Sequence, residues 1–204
     1  MKLSQELPEV AGPPDLGAPP QAGLLGRLQR LNEGVMRVEM VAVGVLTATV
    51  FGLLVLNVTS RAIGRPLIWS DELAINLMIL GAFLGTSLGL AQHQHIAVTL
   101  LPDVLPLRGR AVLAVMVDLV LLAFFLTLAV LLWRWFDLPG LIRAGSADAY
   151  AQASFNFIWQ EPMVTLPLRK VWFWMVLPVF CLTGILHVLV SLTARLAGGE
   201  EQPA

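Results

Sequence analysis

Met40–Ser60 contains no charged side chain, and three later stretches come close to matching it. Leu73–Gln92 also carries none, Ala111–Trp133 is interrupted by Asp118 alone, and Val171–Ala194 holds only His187 as a group that can bear charge. About 20 apolar residues at ~1.5 Å rise per residue cover a ~30 Å hydrocarbon core, so each run is long enough to cross a bilayer as a helix. A soluble four-helix bundle would need charged outer faces that these runs lack. The whole chain is only 13% charged, against about 25% in an ordinary soluble domain. The expected fold is therefore an all-α integral membrane protein with four transmembrane helices.

Around these spans the composition changes in informative ways. Residues 1–23 are rich in Pro and Gly ("PEVAGPPDLGAPPQAG"), a composition that predicts a disordered tail. Over Leu24–Arg37, Leu24, Leu28, Leu31 and Val35 recur at helical spacing while Arg27, Arg30, Glu33 and Arg37 occupy other faces. The pattern predicts an N-terminal amphipathic interfacial helix, and it equally suits an N-terminal extension of the first span. Residues 24–196 are expected to form one transmembrane domain, with spans at about 38–61, 73–92, 111–133 and 171–194, followed by a C-terminal tail at 197–204. The Arg134–Lys170 segment is long, and a connection of that length usually has structure of its own. Short helices at the membrane surface are expected there. The first residues lack a basic stretch leading into an apolar core, so no secretory signal peptide is expected.

Charge does not orient the chain. With alternating spans, one side holds Lys2, Arg27, Arg30, Arg37, Arg108, Arg110 and Arg195, and the other Arg61, Arg65, Arg134, Arg143, Arg169 and Lys170. A positive-inside bias needs a clearer excess than that. The aromatic residues are less even: Trp69, Trp133, Trp135, Trp159, Trp172, Trp174 and Tyr150 all fall on one side. An ordinary aromatic belt has two sides, so this end is expected to meet another protein. A net charge of −1 gives no reason to expect a nucleic-acid partner.

Several residues are candidates for function. Gly44, Ala48 and Gly52 form a small-residue row on the first span, and Gly81, Gly85 and Gly89 form another on the second. Such rows let helix backbones approach closely, against a neighbouring span or another subunit. In "RPLIWSDELAINLM", Ser70 is placed to cap the second helix, with Asp71 and Glu72 at its positive dipole end and Arg61 and Arg65 across the hairpin. No nucleophile, metal cluster or phosphate loop accompanies the two acids, so they are not read as a catalytic pair. His93 and His95 diverge on a helix, and no Cys or carboxylate cluster completes a four-ligand metal site. No two histidines face each other at mid-span as haem ligands would. Asp118 and His187 are ionisable groups inside spans, a mark of function by default. Counted along antiparallel helices they lie at similar depth, so pairing is available; the other reading has each facing a water-filled crevice or a partner. Cys181, the single cysteine, sits in the fourth span and suits a small packing role.

The run "SRAIGRPLIWSDELAINLMILGAFLGTSLGLAQHQHIAV" resembles the small membrane subunit, DctQ type, of tripartite ATP-independent periplasmic (TRAP) transporters. The matching positions are Arg61, Trp69, Asp71-Glu72-Leu73, Leu84-Gly85-Thr86 and His95-Ile96-Ala97-Val98. At Gln92 and His93 the chain departs from relatives, which often carry a basic residue and Gly there. The resemblance is closest over residues 38–135. It implies a non-catalytic subunit without cofactor or metal. Its partners would be a large permease subunit carrying the substrate and sodium sites, a periplasmic substrate-binding protein, and the lipid bilayer of the bacterial inner membrane. It further implies cytoplasmic termini, uptake of an organic acid or similar solute, and assembly roles for Arg61, Trp69, Asp71, Glu72, Gly81, Gly85, Gly89 and His95. The other reading of the spans is a self-sufficient channel or carrier formed by oligomerisation.

Overall fold

The computed structural model describes residues 23–92 and 106–196. The expected tails, His93 and His95 therefore lie outside the described residues, apart from Gly23. Seven helices follow in order among the described residues: α1 Leu24–Ala62, α2 Ile68–Ala91, α3 Leu107–Phe136, α4 Leu138–Ala144, α5 Ala147–Ser154, α6 Val171–Trp174 and α7 Val176–Leu196. Four stretches are long and apolar enough to cross a membrane: α1, α2, α3 with α4, and α6 with α7. The four-span, all-α membrane architecture expected from the sequence is the one found.

α1 is one rod of 39 residues. No proline interrupts Leu24–Ala62, and no break separates 24–37 from the span. The separate interfacial helix is thus replaced by the other reading, an extension of span one. The helix stops at a Schellman turn. Gly64 takes φ 73°, its N–H reaches Arg61 O at 3.0 Å, and Arg65 N reaches Ser60 O at 2.9 Å. Pro66 then blocks continuation.

α2 begins earlier than expected, with Leu67 as its extended N-cap. Ser70 is consequently not the cap. It lies inside the first turn, only 1% exposed, and its hydroxyl donates back to Leu67 O at 2.6 Å.

At the end of α3 one residue does two jobs. Asp137, in the left-handed region at φ 37°, terminates α3, and its carboxylate accepts from Gly140 N to start α4. Its other oxygen accepts from the Tyr150 hydroxyl at 3.2 Å, fixing α5 over α4. Ser146 caps α5 through Ala149 N. Short helices are thus present between spans three and four. The break at Met175 between α6 and α7 has its cause in Pro178, which cannot donate to the carbonyl of Trp174.

The spans do not contribute equally to the interior. The most apolar window of the fourth is 44% buried, against 11–17% for the other three. α7 is the hub: α1, α2 and α3 all pack on it, and α1 also pairs along α2. Around its middle, Phe125 stands between Phe180 and Phe124, and Phe180 between Phe125 and Phe83, all edge-to-face at 5.3 Å. Such pairs contribute about 0.5–1.5 kcal/mol each beyond area burial.

Candidate functional site

The polar residues of this apolar chain gather at four places, each joining separate elements. At the turn between α1 and α2, Arg61 on the last turn of α1 holds Asp71 on the first turns of α2 at 2.7 Å. Arg61 Nε donates to Asn57 Oδ1 at 2.7 Å, and Asn57 Nδ2 donates to the second Asp71 oxygen. The three side chains close a ring of hydrogen bonds, the charge-assisted ones being those that reach the Asp71 carboxylate or leave the Arg61 guanidinium. Arg65, also expected across the hairpin, makes no ion pair among the described residues. Trp69 is half-buried beside them.

Glu72 points the other way. Oε1 accepts from Val164 N at 2.8 Å, while Oε2 accepts from Thr165 N at 2.6 Å and Thr165 Oγ1 at 2.5 Å. Those residues tip a small loop closed by Met163 N to Leu168 O and by Lys170 with Glu161. Asp71 and Glu72, adjacent in sequence, therefore tie α2 to α1 on one side and to the span-three-to-four segment on the other. Most of the tryptophans cluster at this same end. Trp135 packs on Trp174 at 5.2 Å, and Trp159 packs on Phe136 while its Nε1 donates to Phe136 O. Trp133 and Trp172 remain 63% and 69% exposed, and with the exposed Phe155 and Phe157 they are aromatic side chains left for a neighbour.

The third place lies toward the other end of the bundle and is buried. Glu39 of α1 is 3% exposed, Ser87 of α2 is fully buried, and His187 of α7 is 3% exposed. Ser87 Oγ donates to Glu39 Oε1 at 2.8 Å and lies 2.8 Å from Thr183 Oγ1. His187 Nε2 meets Glu39 Oε2 at 3.2 Å, and Nδ1 meets Asn32 Oδ1 at 2.6 Å. Both ring nitrogens of His187 and both oxygens of Glu39 are thus engaged inside the bundle, the condition under which ionisable groups are tolerated in lipid.

The expected Asp118–His187 pair does not form. Both histidine nitrogens are engaged by α1, and Asp118 Oδ2 accepts from Ser191 Oγ at 2.9 Å and Arg195 Nε at 3.0 Å. Ser191 is one helical turn beyond His187, so the depth estimate was close, but the two groups serve different neighbouring helices.

The glycine rows also divide. A Cβ added to Gly81 would lie 3.9 Å from Leu46, in ordinary contact. At Gly44, Gly52, Gly85 and Gly89 nothing lies within 4 Å. Between two spans, close packing is permitted by Gly184, where a Cβ would overlap the ring of Phe125. Cys181 packs beside it, Sγ donating to Phe125 O at 3.3 Å. Residues that sequence reasoning passed over are thus Asn32, Glu39, Asn57, Ser87, Thr183, Gly184, Ser191 and Arg195. Among the described residues no buried side-chain nitrogen or oxygen lacks a hydrogen-bond partner.

Residues 50–198 match the family described as "Tripartite ATP-independent periplasmic transporters, DctQ component". The chain is also 34% identical over 68 residues to the sialic acid TRAP transporter permease protein SiaT of Haemophilus influenzae (strain 86-028NP). The matched stretch is 33% of this chain and 11% of that protein.

Proposed function

The chain belongs to the DctQ component family of the tripartite ATP-independent periplasmic transporters, and from that premise we propose that it is the small, non-catalytic membrane subunit that scaffolds a separate large permease. In this reading the large permease subunit carries the substrate and sodium sites. A periplasmic substrate-binding protein delivers an organic acid, the chemical class of the sialic acid in the relative's printed name. The chain sits in the bacterial inner membrane with both termini cytoplasmic, which puts the Arg61–Glu72 turn and the tryptophan cluster on the periplasmic side.

One observation carries the scaffold role. The buried polar side chains that a carrier would turn toward solute or ion are here engaged with other helices of the same chain. Gly85 and Gly89, open on their own chain, supply a surface against which a helix of the large permease can pack closely. Arg61, Trp69, Asp71, Glu72, Gly81 and His95 complete the set assigned to assembly.

Reconstituting the large permease with and without this chain in proteoliposomes tests the proposal. Sodium-driven uptake with added binding protein is expected only when both are present. Uptake by this chain alone as a homo-oligomer contradicts it and returns the oligomeric carrier.

A further inference from the structure

Along the outward side of α1, toward its N-terminal end, run two apolar clefts that share the ridge Val38–Ala42 and meet at Leu84 of α2. The first, ≈ 700 Å³, is walled by Val41, Val45 and Leu46 of α1 and Leu80 of α2, with Arg37 at its end. The second, ≈ 650 Å³, is walled by Leu31, Gly34, Val35 and the edge of Glu39 on α1 and by Val179 and Thr183 of α7, with Arg30 at its end. Val38, Val41 and Val45 are 69%, 66% and 59% exposed.

Arg30 and Arg37 are both exposed and make no hydrogen bond or ion pair among the described residues. Seven residues apart on one helix, they share a face at a separation of ~10 Å along its axis. Of the two acids nearby, Glu39 is 3% exposed with both oxygens engaged by Ser87 and His187, and Glu33, exposed between the arginines, forms no ion pair with either among the described residues.

We propose that these clefts bind one anionic diacyl phospholipid, an acyl chain in each, with its phosphate held by Arg37 and Arg30. Shape and charge agree, and depth does so for Arg37. From the end of α1 at Ala62, about 20 residues traverse the ~30 Å hydrocarbon core. Arg37 then falls a few residues past the boundary, at headgroup level. From Arg37 to Leu46 the first cleft follows ~13 Å of helix, close to the depth of one leaflet's chains. Two clefts divided by a ridge fit two chains better than one helix. A docked helix would further have to bring a buried anion to two arginines, whereas a phosphodiester brings one by its nature.

The test uses the full chain in nanodiscs of equal phosphatidylcholine and phosphatidylglycerol, extracted gently and weighed by native mass spectrometry. Phosphatidylglycerol is expected to be retained over phosphatidylcholine by about fivefold per arginine, so roughly 25-fold for both. Arg30→Gln with Arg37→Gln should bring that preference close to one, and Lys at both positions should keep most of it. Arg65→Gln, at the other end of α1, should leave it unchanged. Val41→Trp fills one cleft with both charges intact and should lower the lipid retained. An unchanged preference in the double Gln variant overturns the proposal. So does a Val41→Cys variant that crosslinks, in native membranes, to a helix of a co-purifying protein, because the clefts are then a protein interface.

Discussion

Two seams meet on α7, and they are built from opposite materials. Toward α1 and α2 the helix presents Thr183 and His187, which engage Glu39, Ser87 and Asn32. Toward α3, halfway along, it presents Phe180, Cys181 and Gly184 to the ring and backbone of Phe125. Lipid provides no hydrophobic drive between helices, so association must come from hydrogen bonds or from close fit. The two seams are those two solutions side by side. The polar seam fixes register, because Glu39 reaches His187 and Ser87 at only one relative height of three helices. The aromatic seam fixes distance, because Gly184 admits the Phe125 ring and a larger residue does not. Farther along, Asp118 with Ser191 and Arg195 adds a polar contact to the α3 side.

The largest effect is expected where the polar seam is half removed. His187→Leu leaves Glu39 buried without its ring partner, and breaking one side of a buried pair costs about 3–5 kcal/mol. Adding Glu39→Leu should recover part of that loss, because two apolar groups leave nothing unpaired. A thermal-stability cycle over the four proteins reads the coupling, and strict additivity would mean that the seam does not hold the helices.

Gly184→Leu attacks the other seam and should cost about 1–3 kcal/mol through overpacking against Phe125. Gly85→Leu has room on its own chain and should leave the isolated subunit as stable as wild type while lowering its co-purification with the large permease. Equal stability losses at the two glycines would erase the distinction between an internal contact and an external face.

Asp118→Asn should cost less, about 1 kcal/mol, because the amide still accepts from Ser191 and the long Arg195 side chain can reach toward the interface. Arg61→Ala removes a pair whose side chains are 61% and 48% exposed. Such pairs contribute at most about 1 kcal/mol, so its main effect should be on complex yield rather than on melting of the isolated chain. Glu72→Gln leaves the loop at Val164–Thr165 less firmly held, and limited proteolysis should cut there faster than in wild type.

How much of this was legible in the sequence follows from what each signal measures. Runs without charge report the length of a helix in lipid, so the four spans were plain. The polar seam was hidden because Glu39 stands just before the charge-free run at Met40, at the edge of the expected span of about 38–61, while α1 continues unbroken through it. A signal did exist on the other wall: Thr183, His187, Ser191 and Arg195 recur every fourth residue along one side of α7. Depth along antiparallel helices placed Asp118 within a turn of His187, but depth says nothing about which neighbour a side chain faces. Glycine spacing has the same weakness. It marked Gly85 and Gly89, which are open, and passed over Gly184, whose need for a missing Cβ depends on a phenylalanine far away in sequence. Ser70 failed as a cap because the helix began earlier, at Ile68.

The central claim is that the buried polar groups join helices and take no part in moving solute or protons. Glu39→Gln with His187→Gln tests it most directly, since the two amides can still hydrogen bond across the seam but can no longer exchange a proton. The variant is to be assembled with the large permease, reconstituted, and assayed for sodium-driven, binding-protein-dependent uptake. The account predicts uptake within about twofold of wild type once complex yield is normalised, the difference being well under the ~1.4 kcal/mol that a tenfold change represents. A complex that assembles normally yet has lost uptake would contradict it and make the Glu39–His187 pair part of the transport cycle.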